Sequence, residues 1–406
     1  MFLQLSFNSR LNMARETLSD TFKHNVLFWK FLGLWIFQVD DKRYRYYAIP
    51  VVSIVFVAYN ILLTLNLVYT PKKLDTFIPE LIFFFCEIQN AFKVHMIMFK
   101  SKQIVEVFEI MDSDVFIGEK EEHNRITIKS KLLFIKVFKI FFVGCNMSYI
   151  CHNFLPLISF LVFGTELNLP VCNYYFLSDE SRKHYFWWIL VYQTYGIYHH
   201  MMYNLSIDTF MSGLILVGLV QCRALNHGLQ NIKTSVPKKE NDTEDEKRLR
   251  MELVKCIQHY ESIRKYCAHI QDLYDPAMFV QMGVGAASNC VILASLLLSM
   301  PSHEKALYVS VLMYGTVMAI EILMPGYLGS QLTHESGQIV RSVYSCDWID
   351  RPESFKSILK LLLERAKRPI ILTTGYIVPL SLNTFISIMK TAYSSFTILR
   401  GIHKRT

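Results

Sequence analysis

Residues 185–222 read YFWWILVYQTYGIYHHMMYNLSIDTFMSGLILVGLVQC, and no Lys or Arg falls between Lys183 and Arg223. As one helix this run would be about 57 Å long. A hydrocarbon core of about 30 Å needs roughly half of that. The run therefore predicts a membrane helix whose second half, from about Asp208, projects beyond the bilayer. Six further apolar blocks flank it, at about 46–69, 78–99, 132–163, 276–300, 306–330 and 375–399. The chain is 52% hydrophobic and only 19% charged, below the charge content of an ordinary soluble domain. The reading is an all-α membrane protein with seven transmembrane helices. The start, MFLQLSFNSRLNMARETLSD, makes a poor secretory signal, because its apolar stretch is short and lacks a basic region before it.

Charge sets the expected orientation. Segments 1–45, 100–131, 223–265 and 331–374 carry seven, six, ten and seven Lys and Arg. The alternate segments, around residues 72–73, 182–183, 305 and 400–405, carry two, two, one and three. The positive-inside rule places the first set in the cytosol, hence a cytosolic N-terminus and an extracellular C-terminus. That is opposite to a G-protein-coupled receptor, and the DRY and NPxxY signatures of that class are missing too. The resulting division has a cytosolic N-terminal segment at 1–45 and four spans at 46–222. A cytosolic loop with an amphipathic extension of span five follows at 223–275, then spans five and six at 276–330. A cytosolic helical anchor region at 331–374 precedes the last span and a short tail at 375–406, so that the last segment is expected to be split.

Two segments outside the bilayer carry helical patterns. Leu249, Leu253, Ile257, Tyr260, Ile263, Cys267, Ile270 and Tyr274 repeat every three or four residues and should run continuously into span five. PESFKSILKLLLERAKRP (352–369) opens and closes on proline, with Phe355, Ile358, Leu359, Leu362 and Leu363 on one face. It is too short and too charged to span. It either lies on the membrane surface or packs with the extensions of spans four to six as a cytosolic assembly domain. Nine scattered cysteines show no CxxC or Cys/His metal spacing, and no nucleic-acid motif accompanies the net charge of +8. No Ser/His/Asp arrangement or Gly-rich phosphate loop suggests an enzyme, and nothing calls for a cofactor.

The closing KTAYSSFTILR (390–400), the preceding RAKRPIILTTGYIVPLSLNTFISIMK (365–390), VKCIQHYESI (254–263), YSCDWID (344–350) and Asp208 together resemble the insect odorant receptor family. The resemblance covers most of the chain and is strongest over 250–400. Gustatory receptors of the same superfamily usually carry a TYhhhhhQF pattern, where this chain has Ala392-Tyr-Ser-Ser-Phe-Thr-Ile. The family's co-receptor is longer between spans four and five, so this chain resembles an odorant-tuning subunit. The resemblance implies a ligand-gated, non-selective cation channel in the plasma membrane of a sensory dendrite. In it, tuning subunits join the co-receptor in a heterotetramer around one pore. It also implies that the helix at about 353–367 anchors the tetramer through residues such as Phe355, Ile358, Leu359 and Leu362, and that the last span lines the conduction path.

Thr384, Ser387, Thr391, Ser394, Ser395 and Ile398 recur every three or four residues in that last span. Periodicity alone fits helix packing through small hydroxyls. With the resemblance, pore lining by Thr391, Ser394, Ser395, Ile398 and Leu399 is the better reading, the last two as an apolar constriction. Lys390 is awkward in a cation path and is expected to point away or to pair with an acid such as Glu321.

A volatile odorant wants an aromatic, apolar cavity with few oriented polar groups. Candidates are Phe83, Phe84 and Glu87 in span two, Ser148, Tyr149 and His152 in span three, Tyr192, Tyr195 and His199 in span four, and Tyr308, Met313 and Tyr314 in span six. Glu87 also admits an ion pair with Lys93 or Lys136. The adjacent His199 and His200 face different sides of a helix and suit a satisfied bundle better than a metal pair. Trp187 and Trp188 also fit interfacial anchors.

Overall fold

The computed structural model describes residues 17–39, 41–118, 121–232, 242–299, 305–349 and 351–403. Its elements in chain order are α1 (Lys23–Phe31), α2 (Lys42–Tyr69), α3 (Leu74–Phe99), α4 (Ser101–Met111), α5 (Asp114–Ile117) and α6 (Glu121–Phe163). They continue with α7 (Asp179–His184), α8 (Phe186–Gln230), α9 (Asp242–Ser299), α10 (Lys305–Tyr344), α11 (Glu353–Ala366) and α12 (Leu382–His403). Asp41 caps α2 by accepting from the Arg43 amide at 2.9 Å. Within α2, residues Val52–Ala58 take up π-helical bonding just after Pro50, whose ring removes a backbone donor.

Among the described residues, five helices are long and apolar enough to cross a membrane: Lys42–Tyr69, Thr76–Phe99, Phe186–Gln230, Glu246–Leu296 and Val311–Tyr344. The long α6 carries Lys129, Lys131, Lys136 and Lys139, and α12 carries Lys390 and Arg400; these charges dilute their apolar windows. The apolar blocks fall on the helices named, with one difference. The block at 375–399 is split: residues Thr373–Thr374 and Val378–Pro379 form a two-stranded hairpin, and the helix begins only at Leu382. Gly375 sits at that turn with φ +59°, where a Cβ would also strike the Phe279 ring.

Helix α8 is the axis of the bundle. It packs against α1, α3, α6, α9 and α10 and is buried on nearly all sides from Met202 to Cys222. This explains the unbroken apolar run: a helix surrounded by others needs no polar face. Its lower half runs beside the lower parts of α9 and α10. The stripe from Leu249 to Tyr274 is buried there, apart from a partly covered Ile257. The N-terminal segment contributes more than its polar sequence suggests. Phe22 and Trp29 are fully buried and meet Phe210 edge-on at 5.1 and 4.8 Å, while Asn25 donates to the Ser206 carbonyl at 2.7 Å.

Helix α11 joins this lower core. Phe355, Leu359 and Leu362 are buried and Ile358 packs against them, all within the single chain. Arg365 pairs with Glu261 on α9, and Tyr260 donates to the Arg365 carbonyl at 3.1 Å. The face expected to serve assembly is thus already covered by the chain's own α9 and α10. The apolar side chain that α11 leaves outside is Leu361, 55% exposed. Leu359→Asp should therefore destabilise the isolated chain by several kcal/mol in order of magnitude, because it buries an unpaired carboxylate. Thermal unfolding of the purified chain without partners checks this, with Leu361→Asp expected to leave the midpoint unchanged. Equal midpoints for Leu359→Asp and the wild type would contradict the packing.

Candidate ligand cavity and its buried charge cluster

Four helices enclose a cavity of about 80 Å³ in the upper half of the bundle. Helix α3 contributes Phe83, Cys86 and Glu87, and α6 contributes Cys145, Ser148, Tyr149, His152 and Asn153. Helix α8 adds Ile197, His200, Met201, Asn204 and Leu205, and α10 adds Tyr314, Val317, Met318 and Glu321. The walls are mainly aromatic and aliphatic, with few polar groups held in fixed positions, as a small-molecule site requires. Phe83 lies 5.4 Å from the His152 ring and 5.8 Å from that of Tyr314.

The segment 164–178 forms an outer roof that adds no residue to the cavity wall and meets it through His152. Its Val171 and Cys172 amides donate to Gln193 Oε1 at 3.1 and 3.4 Å, and Gln193 Nε2 donates back to the Cys172 carbonyl at 2.8 Å. Asn66 donates to Glu80 at 2.8 Å and accepts from the Tyr175 amide at 3.0 Å. His152 Nε2 meets the Pro170 carbonyl at 2.7 Å; a carbonyl only accepts, so that nitrogen carries a proton.

The floor is a cluster of ionisable groups. Lys93 is fully buried; its Nζ donates to Asn204 Oδ1 at 2.5 Å and lies 2.7 and 2.8 Å from the two Asp208 oxygens. Glu321 Oε2 is 3.9 Å from the same nitrogen, while Asn204 Nδ2 donates to Glu321 Oε1 at 2.6 Å. Burying an ion without partners costs several kcal/mol, so the ammonium and two carboxylates can persist here only together. Beside them Glu87 meets His200 Nδ1, while His200 Nε2 reaches the Val55 carbonyl at 2.8 Å. Nε2 must donate there, so the Glu87–His200 contact needs a second proton, on the ring or on the carboxyl.

Of the twelve residues expected to hold an odorant, Phe83, Glu87, Ser148, Tyr149, His152 and Tyr314 line the cavity. Phe84 and Tyr192 instead pack under the roof beside Tyr59, with the Tyr192 hydroxyl donating to the Ile54 carbonyl at 2.9 Å. Tyr195 is 52% exposed and His199 leans on its ring, their centroids 4.2 Å apart. Residues four apart share one helix face, and this face turns away from the one bearing Ile197, His200, Met201 and Asn204. Met313 is half-buried outside the cavity wall, and the side chains of Tyr308 and Leu399 lie outside the described residues. His200 is a satisfied bundle histidine, and among the described residues no group of three His, Cys, Asp or Glu could hold a metal. Trp187 and Trp188 are exposed.

None of the ion pairs offered as alternatives for Glu87 and Lys390 forms, and Lys390 takes its other reading, pointing away from the bundle. Glu87 meets His200 rather than Lys93 or Lys136, and Glu321 joins Lys93 rather than Lys390. Glu87 and Lys93 are six residues apart on one helix, roughly two-thirds of a turn out of register, so they face different neighbours. Lys390 is exposed on α12. Asn204 was not foreseen at all; an asparagine in an apolar run opposite an unpaired lysine was the available signal.

Helix α12 packs on α9 and α10 and leaves its polar stripe outside. Thr391, Ser394 and Ile398 are exposed, the last by 65%, and Ser395 is half-buried. The hydroxyls of Ser387 and Thr391 donate to carbonyls four residues back in their own helix, both at 2.9 Å. Within the chain this stripe makes no helix–helix packing face; Phe385, Ile388, Ala392 and Phe396 do that.

A sequence model for the family described as 7tm Odorant receptor matches residues 73–393. The chain belongs to the odorant receptor family. Odorant receptor 2a of Drosophila melanogaster is 22% identical over 377 residues, covering 89% of this chain and 91% of the relative. Odorant receptor 59a of the same species is 22% identical over 403 residues, covering 95% and 98%. The solved olfactory receptor OR5 of Machilis hrabei in complex with eugenol superposes with a TM-score of 0.81 at 13% identity, covering 95% of this chain and 98% of that one. The fold is therefore that of an insect olfactory receptor, and this odorant receptor is a multi-pass membrane protein.

Lys93→Ala should cost about 3–5 kcal/mol, because it leaves Asp208 and Glu321 buried without their counter-ion. The expected result is loss of surface delivery and a lower unfolding midpoint of the purified receptor. Wild-type values for both would contradict the cluster as drawn.

Proposed function

We propose that this receptor is the odorant-sensing subunit of a ligand-gated, non-selective cation channel, binding a small volatile molecule in the cavity between α3, α6, α8 and α10. The observation that carries the reading is the cavity itself: an aromatic chamber with fixed polar groups, in a chain aligned over nearly its whole length with odorant receptors. The matched olfactory receptor was solved in complex with eugenol, which supports an odorant as the occupant.

Seven spans follow if α6 and α12 join the five apolar helices, with the N-terminus in the cytosol and the C-terminus outside. The polar stripe of α12 is free in the single chain, which supports a face turned towards water in an assembly around a central path. Partner subunits in such a heterotetramer would include the family's co-receptor, and membrane lipid would surround it in the plasma membrane of a sensory dendrite. The lower domain would anchor the assembly, through exposed groups such as Leu361 rather than the buried face of α11.

Helix α10 offers a mechanical link. It carries Tyr314 and Glu321 at the cavity and Gly326, Gly329 and Ser330 at the entrance to α12. A Cβ on Gly329 would stand 2.3 Å from the Leu380 carbonyl oxygen, and the Leu382 amide donates to Ser330 at 2.9 Å. A ligand that binds better when α10 is shifted would thereby move the start of α12.

Whole-cell recording from cells expressing the receptor with the co-receptor should give odorant-evoked cation current, and the receptor alone should give little. Cysteine placed singly at Thr391, Ser394 and Ile398 should make that current sensitive to a charged thiol reagent. Current that requires G-protein signalling, or silence at all three positions with normal surface expression, would contradict the channel reading or the role of α12 respectively.

A further inference from the structure

A second cavity lies below the charge cluster, between α6, α8 and α10, and holds about 270 Å³. Its surface is almost wholly apolar, built mainly from Phe134, Phe138 and Phe141 of α6, Leu216 of α8, and Met324 and Leu328 of α10. An apolar cavity of about 150 Å³ stays dry and takes up benzene, so a void of this size and lining suits an apolar guest rather than water. The cavity is open at its side. Leu133 of α6 and Tyr327 of α10 stand on its rim, 52% and 47% exposed, on the outer surface of two helices. Downward it continues past Phe134, Gly213 and Leu216, which also line a narrow cleft of about 20 Å³ that reaches Ser130 and Lys131. Around that end α6 carries Arg125, Lys129, Lys131, Lys136 and Lys139, and no Asp or Glu follows Glu122 on this helix.

We propose that this lower cavity binds one acyl chain of an anionic phospholipid from the leaflet on the Lys131 side, with the headgroup phosphate beside Lys131. By the orientation given under the proposed function, on which only this point rests, that leaflet is the cytosolic one. Three observations select the occupant. The walls offer apolar surface and almost no polar groups, which suits a hydrocarbon chain and not a ligand that needs oriented hydrogen bonds. From Lys131 to Phe141 helix α6 rises about 15 Å, which is the tail depth of one leaflet in a core of about 30 Å. The basic end lies where a phosphate would sit, and clusters of Lys and Arg beside a membrane draw negative headgroups. The tip of the chain reaches the level of Asp208 and Glu321, which also border the cavity. A tail in place fills the gap between α6 and α10 and supplies the contacts that an empty void lacks. It also excludes water from the lower side of the Lys93 cluster. Bound lipid therefore stabilises the folded receptor.

The test uses the purified full-length receptor, stripped of lipid in mild detergent. Dioleoylphosphatidylglycerol should raise its unfolding midpoint saturably and remain bound, one molecule per chain, in native mass spectrometry. Dioleoylphosphatidylcholine, with the same tails and no net charge, should bind several-fold more weakly. Dihexanoylphosphatidylglycerol, whose tails are too short to fill the cavity, should give no shift. Ser212→Phe turns a ring into the cavity from α8 and should weaken binding of dioleoylphosphatidylglycerol by at least about tenfold. Leu133→Trp narrows the opening from its exposed rim, leaves the buried core alone, and should produce the same loss even if Ser212→Phe fails to fold. No saturable binding, equal shifts from the dihexanoyl and dioleoyl lipids, or unchanged binding in the folded variants would overturn the proposal. Equal binding of dioleoylphosphatidylcholine would overturn its headgroup assignment. Stabilisation by free decane with none by phospholipid would make the occupant a soluble hydrocarbon and overturn it as well. None of these readouts uses current, so the proposal and the channel reading fail separately.

Discussion

A lysine buried in the middle of the bundle is the constraint on which the rest depends. Lys93 is inaccessible to water, and its charge is tolerable only because Asp208, Asn204 and Glu321 surround it. These partners come from α8 and α10, so the cluster fixes the rotation and height of α3 against both. Nearer the start of α3, the Glu87–His200 contact ties α3 to α8 again. The space between these polar ties and the 164–178 roof resists closing by the slide of one helix, because such a slide would pull the buried Lys93 ammonium away from its counter-ions. The cavity is what remains. Glu321 also borders a second cavity of about 270 Å³ lying lower between α6, α8 and α10, where Asp208, Thr209 and Ser212 are among the lining residues but the surface is almost wholly apolar.

The long helices were legible in the sequence because their signals are one-dimensional. An apolar run of the length of 185–222 can only be a helix that is buried or spans a membrane, and the spacing from Leu249 to Tyr274 defines a buried stripe whatever it packs against. The single 45-residue helix α8 and the continuity of α9 followed from length and period alone. The start of α12 was missed by seven residues because TTGYIVPL is as apolar as a span, and only the Gly375 turn and its strand pairing reveal the hairpin.

The cavity was half legible. Residue type identified Phe83, Glu87 and Tyr314 as candidates, but type does not fix the direction of a side chain. Tyr195 and His199 have the chemistry of a pocket and the wrong helical phase. Asn153 and Asn204 have an unremarkable chemistry in sequence and the right phase. The ion pairs depend on which helices are neighbours, which one sequence does not state: Lys93 had acids on its own helix and on several others to choose from. The docking of Phe22 and Trp29 against Phe210 was hidden for a related reason, since the N-terminal segment is too short and too mixed to show a stripe.

The central claim is that a ligand in this cavity opens the channel. Filling the cavity tests it most directly. Ser148 is buried on the α6 wall, away from the charge cluster and from the roof contacts. In Ser148→Phe the added ring occupies the chamber, so surface-labelled receptor should reach the membrane with the co-receptor while the odorant concentration for half-maximal current rises by at least about tenfold, the worth of a lost apolar contact of ordinary size. An unchanged dose–response curve in that variant, with surface delivery intact, would place the ligand elsewhere and contradict the account.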